Sequence, residues 1–347
     1  MRSGIGSARF LSSVFMFALS VLLLFDPAAG YGDSAEPKRV LIIQSYNPEY
    51  IWCQNINHGI REGLQGLNIA YETYYLDAKR APDPEKLAAA AADIASKIER
   101  LAPDVVIAAD DAAQEYVVVP FLKDKPGPQV IFCGVNAPPA KYGFPASNVS
   151  GIRERWHYRE AFALLKKLMP AVKNVAFFVD ASESGGYVVD DLKEDLAANG
   201  PYALEVVTAE TVRTFQQWQR MVLKYQDSAD SLAMGLYQTL IDERTGKVAS
   251  PDEVMAWTNS VNKLPTVGFS DIAMEHGLMC GVLEAGHEQG YLAGILARDV
   301  MNKGMKAGEL PMRINDKGVI LVNLRTAERL RVNIPYEIIE AAGAVIQ

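Results

Sequence analysis

Asp110 and Asp111 stand side by side directly after an apolar run at 105–109. Paired carboxylates there could hold an amine, while the plainer reading makes one of them the N-cap of the helix that follows. A second cluster, Ser182-Glu183-Ser184-Gly185-Gly186, ends another apolar run, at 175–179. Backbone amides and hydroxyls at such a helix start can hold a carboxylate or other anion, or simply cap the helix. It is not a Walker loop, because the lysine and its spacing are missing. The third feature is "SYNPEYIW", residues 45–52, which places Tyr46, Tyr50 and Trp52 just past the apolar run 40–43. Such aromatics either wall a site for a flat or apolar ligand or are core continuing past a strand. Ser45 either bonds a ligand at the strand end or closes the turn. Asn136, closing "IFCGVN", offers a donor and an acceptor to a polar ligand group.

Catalysis has no support in these residues. There is no G-x-S-x-G and no histidine beside a strand-end nucleophile, and the adjacent acids 110 and 111 point in different directions whichever element holds them. The chain is expected not to be an enzyme. Cys53, Cys133 and Cys280 form no C-x-x-C pair, and His58, His157, His276 and His287 lie far apart without metal-ligand spacing. No metal and no cofactor is therefore expected.

The elements that must position these groups alternate. Strands are expected over 40–43, 70–76, 105–109 and 129–135, with helices over 54–67, 84–101 and 112–121 between them. A second series begins with a helix over 158–169, then strands over 175–179, 204–207, 232–236 and 266–269, separated by helices over 187–199, 214–225 and 251–262. Strands apolar on both faces and separated by helices mean an α/β fold. Two doubly wound parallel-sheet lobes follow, joined by a hinge. Crossings are expected at 146–156, 269–277 and 302–311. They divide the chain into an N-terminal lobe (38–150 plus 272–303) and a C-terminal lobe (151–271 plus 308–347). Ligands of open parallel sheets sit outside the carboxyl ends of the strands. That rule collects Ser45, Tyr46, Trp52, Asp110, Asn136, Ser182, Ser184 and Tyr237 at one cleft. Arg153, on the first crossing, could reach the ligand or the opposite lobe, and Asp271, on the second, a ligand amine or a hinge hydrogen bond.

The ends of the chain and its charge set the compartment. Arg2 and Arg9, an apolar stretch at 11–25 and the small residues Ala28-Ala29-Gly30 have the order of a cleaved secretion signal over 1–30, placing the mature protein in the periplasm; an uncleaved anchor is the other reading. The formal net charge is −8, with no basic stripe, which argues against nucleic acid as a partner.

Three stretches resemble one family. "VLIIQSYNPEYIWCQNINHGI", "PTVGFSDIAMEHGLMCGVLEAGHEQGYLAGILARDVMNKG" and the tail "VILVNLRTAERLRVNIPYEIIEAA" are similar to the ABC transporter substrate-binding proteins of the type I periplasmic binding fold. Tryptophan- and tyrosine-binding members belong to that family, and some of its members accompany sensor kinases. The sequence departs from the family at Arg331, where a glycine usually ends the helix. The resemblance implies a monomeric solute-binding protein that closes on a small ligand, an amino acid or another aromatic or zwitterionic solute, and presents it to an ABC permease. A periplasmic ligand sensor for a membrane signalling protein is the alternative, and an exported hydrolase the least favoured.

Overall fold

The computed structural model describes residues 36–274, 276–315 and 318–347; the expected signal segment, 1–30, lies outside them. The first lobe begins with β1 (Lys38–Gln44), α1 (Ile51–Gly63), β2 (Ile69–Tyr75), α2 (Pro84–Leu101) and β3 (Val105–Ala109). A short α3 (Asp110–Ala113) runs into a π-helical stretch, Gln114–Leu122, before β4 (Gln129–Val135) and β5 (Val149–Arg153). β3 and, past its exposed Lys38 and Arg39, β1 are buried, because helices cover both faces of the sheet. α2 starts where it does because the Asp83 side chain accepts from the amides of Glu85 and Lys86 and Pro84 occupies the first turn.

The second lobe contains α4 (Tyr158–Leu168), β6 (Asn174–Asp180), α5 (Glu183–Asn199), β7 (Glu205–Val212), α6 (Phe215–Tyr225), β8 (Leu232–Met234), a small hairpin of β9 (Ile241–Asp242) and β10 (Lys247–Val248), α7 (Pro251–Val261), β11 (Thr266–Ser270) and β12 (Cys280–Glu284). The chain then returns to the first lobe as α8 (Gly286–Lys303) and β13 (Arg313–Ile314), and ends in the second as β14 (Val319–Asn323), α9 (Leu324–Arg329), α10 (Tyr336–Ala341) and β15 (Ala344–Ile346). The two sheets have the orders β13-β5-β4-β3-β1-β2 and β15-β14-β12-β11-β8-β6-β7. All pairings within them are parallel except β12 with β14. An aromatic core of Trp156, Tyr158, Phe162, Phe177 and Phe269 fills one face of the second sheet; Phe178, Trp218 and Tyr237 fill the other. No helix among the described residues is long and apolar enough to cross a membrane.

Several boundaries differ from the sequence expectation. Residues 149–153, expected to be part of an extended crossing, pair with β4 as a strand of the first sheet. β12 pairs with β11 and β14, so 280–284 belongs to the second lobe and not, as expected from 272–303, to the first. β13 pairs with β5, which moves the third crossing from 302–311 to the residues after Ile314. Periodicity could not decide these memberships, since a short apolar strand reads the same in either sheet. Arg331 adopts φ 57°, in the left-handed region, and the amides of Arg331 and Val332 bond the carbonyls of Glu328 and Ala327. The glycine-type helix ending is thus kept without a glycine, at a backbone cost of roughly 1 kcal/mol.

Candidate ligand-binding site

Two adjoining cavities lie between the lobes. The inner one, about 20 Å³, is lined by Tyr46, Tyr50, Trp52, Asp110, Trp156 and Ser270 among others. The outer one, about 380 Å³, shares Tyr46, Lys79 and Ser184 with it and adds Asp111, Ser182 and Arg213. Helix α1 begins at Ile51, ahead of the expected start at 54, so Trp52 is helical. It sits in the first turn of α1, 4% exposed, and its indole Nε1–H donates to Asp110 Oδ1 at 2.9 Å.

Asp110 is the centre of the inner cavity. Its backbone has φ 65°, a left-handed conformation that is costly for a residue with a side chain and is often held in place at functional sites. Gly134 opposite leaves room for it; a Cβ there would come to 3.0 Å from Asp110 Oδ1. The second carboxylate oxygen, Oδ2, is buried without a hydrogen-bond partner, as are Tyr50 OH and Ser270 Oγ on the same wall. Burial raises the Asp110 pKa well above the usual carboxylate range, and the bond from Trp52 only partly opposes this. Asp111 plays a different part. It accepts from the amides of Asn136 and Ala137, each at 3.1 Å, and from Tyr142 OH at 2.9 Å, so it ties down the end of β4; burial lifts its pKa to about 6. Neither acid caps α3 through its side chain, which corrects the capping reading.

The lobes meet below the cavity in a buried polar hinge. Glu154 accepts from Trp156 Nε1 at 2.9 Å and from Asn136 Nδ2 at 3.2 Å, while Glu284 accepts from Gln289 Nε2 at 3.1 Å and from Asn315 Nδ2. Burial, and for Glu154 the charge of Glu284, push both acids upward. Trp156 stacks on Phe269 with centroids 5.2 Å apart and lines the inner cavity. At the mouth, Lys141 of the first lobe reaches Glu183 of α5 at 2.6 Å and also contacts Tyr187. The Tyr46 hydroxyl lies 3.3 Å from Ser184 Oγ across the cleft, and Lys79 Nζ sits 4.4 Å above the Tyr46 ring.

Of the residues singled out from sequence, Tyr46, Trp52, Asp110, Asn136 and Ser184 line the inner cavity, and Ser182, with Tyr46 and Ser184, the outer. Ser182 also caps α5, accepting from Gly185 N–H at 3.1 Å. Four others lie elsewhere. Ser45 Oγ donates to Ala109 O at 2.6 Å and accepts from Ala113 N–H at 2.8 Å, tying the end of β1 to the junction of β3 with α3. Arg153 pairs with Asp191 across the lobes at 3.2 Å. Tyr237 is core, its hydroxyl 2.5 Å from His276 Nδ1. Asp271 makes the hinge bond, accepting from Asn55 Nδ2 at 2.7 Å and from Gly286 N–H at 3.3 Å. Tyr50, named with the aromatics of 45–52, and Glu154, beside Arg153 on the first crossing, also line the inner cavity, as do Lys79, Trp156 and Ser270, which were not among the candidates. Ser270 ends a strand and could have been found by the strand-end rule; Lys79 carries no such signal. The three cysteines are buried and free, and burial pushes the Cys280 thiol up to about 12.

Two α/β lobes, three crossings and an aromatic, carboxylate-bearing cleft between the lobes define a binding protein of the type I periplasmic architecture. The chain belongs to the ABC transporter substrate binding protein family, whose pattern it matches over residues 53–346. No curated protein matches it in sequence. Among solved structures it is similar to the ABC domain from Streptococcus pneumonia in complex with L-Trp, at 20% identity and TM-score 0.68, over 89% of this chain and 100% of that one. A conserved domain protein from Vibrio cholerae gives 18% and 0.67 over the same shares. A substrate binding protein with adhesive properties from Clostridium difficile, in a ligand-free, open structure, gives 20% and 0.65 over 89% of this chain and 99% of that one. At these identities the likeness speaks for the fold.

Proposed function

We propose that the protein is an exported receptor for a small zwitterion with a flat or apolar side group, such as an aromatic or branched amino acid, which it delivers to an ABC permease. The observation that carries this reading is Asp110: a carboxylate 2% exposed, oriented by Trp52, with Oδ2 unpartnered in an aromatic-walled cavity. A buried carboxylate is tolerated when a cation joins it. An ammonium group suits the inner cavity, where Asp110, Tyr50 OH and Ser270 Oγ would each accept from it. The outer cavity, with Lys79, Arg213 and the start of α5, suits the solute's body and carboxylate. Residues of both lobes line each cavity, so contacts are completed only on closure and binding shifts the population toward the closed form a permease recognises. The family's place outside the cytoplasmic membrane and the signal-like order of residues 1–30 support export.

The test is a thermal-shift screen of the mature protein against amino acids, amines, sugars and small carboxylates, since a tight ligand raises the melting temperature by mass action. Stabilisation by amino acids bearing both a free amine and an aromatic or branched side chain is expected. Stabilisation confined to sugars or inorganic anions would overturn the reading.

A further inference from the structure

We propose that His58, Glu62 and His287 form a binding site for one divalent transition-metal ion of the zinc type, on the outer face of the first lobe and separate from the ligand cleft. The spacing of the four histidines suggested no metal site, but folding brings together residues 225 positions apart. His58 and Glu62 are four residues apart on α1 and so share one face of the helix. His287 lies in the first turn of α8, which crosses α1. One ligand atom from each residue lies within 4.8 Å of the other two. His287 Nε2 is 2.9 Å from Glu62 Oε2, and the His58 and His287 rings are 5.1 Å apart between centroids. Donors around a tetrahedral zinc stand about 3.3 Å apart, given metal–donor bonds of about 2.0–2.1 Å, so small rotamer changes close the set.

The backbone holds these donors in register. A Cβ at Gly59 would fall 2.0 Å from the carbonyl oxygen of His287, and one at Gly290 2.1 Å from that of Ile56. The helices therefore touch backbone to backbone at the point where the donors project, which brings His58 and His287 together. Imidazole and carboxylate donors favour zinc, nickel or copper over calcium or magnesium. The side chains of Glu62 and His287 are 47% and 40% exposed, so the remaining coordination positions open to solvent.

Calorimetric titration of the untagged mature protein, stripped with a chelator, would test the site with zinc, magnesium and calcium. Expected is one zinc per chain with a dissociation constant of about 10 µM or tighter, no comparable magnesium or calcium binding, and at least about a tenfold loss in His287→Ala and in Glu62→Gln. Circular dichroism of the metal-free variants checks that they fold, and Asp110→Asn in the cleft should bind zinc like the wild type. Absence of stoichiometric zinc binding at about 100 µM, equal affinity in wild type, His58→Ala and His287→Ala, or equally tight calcium binding would overturn the assignment.

Discussion

Replacing Asp110 with asparagine should weaken ligand binding and strengthen the ligand-free protein. The change keeps the side-chain shape and the oxygen that accepts from Trp52 Nε1, but removes the negative charge. Without that charge a buried ammonium loses its counter-ion, a loss of about 2–5 kcal/mol, which is roughly a 30-fold to several-thousand-fold weaker affinity. In the ligand-free protein the balance has the other sign. Asp110 is 2% exposed, Oδ2 has no partner and burial raises its pKa, so at neutral pH the charged form is a burden on the fold. Removing an unpaired buried charge while a neutral polar group stays in its place is worth about 1–3 kcal/mol. With an unfolding entropy of roughly 2.1 cal/mol/K per residue over a body of roughly 300 residues, that gain becomes about 2–5 °C. Scanning fluorimetry of the ligand-free variant and calorimetry with the solute identified by screening read the two effects separately. A variant that binds within about threefold of wild type, or melts lower than wild type without ligand, would refute the reasoning.

Trp52→Phe should keep most of the aromatic wall yet weaken binding on the order of tenfold to a hundredfold in calorimetry, because the donor that orients Asp110 Oδ1 is lost; unchanged affinity would return Trp52 to ordinary core. The ligand-free protein should melt higher near pH 5 than near pH 8. Burial raises Asp110, Asp111 (to about 6), Glu154 and Glu284 above their unfolded values. The folded state therefore keeps protons the unfolded chain has released, and stability falls as pH rises through that window. A melting temperature that climbs from pH 5 to pH 8 would contradict this.

Much of the architecture is written in local pattern. Runs such as 40–43 and 105–109 are apolar on both faces, and that alone demands a sheet covered on two sides. The strand-end rule gathers Tyr46, Trp52, Asp110, Asn136 and Ser184 from sequence, because the carboxyl ends of parallel strands share one edge. Local pattern is silent about direction. That Asp110 and not its neighbour faces the inner cavity follows from the left-handed backbone at 110 and from the amides of Asn136 and Ala137 that engage Asp111. Ser45, Arg153, Tyr237 and Asp271 stand where the sequence placed them along the chain, yet nearer partners take their polar groups: a carbonyl and an amide, Asp191, His276 and Asn55.

The sequence by itself therefore determined the two-lobed α/β class, the rim on which the strand ends gather and the acidic, unstriped charge that disfavours nucleic acid, since each depends on composition or on periods within one element. Tertiary structure alone decided which lobe holds β12 and β13, which polar atoms remain unpartnered in the cleft, and that His58 and Glu62 meet His287. Those outcomes depend on contacts between segments far apart in the chain, such as the glycine-lined crossing of α1 and α8, and no period within a single element encodes them.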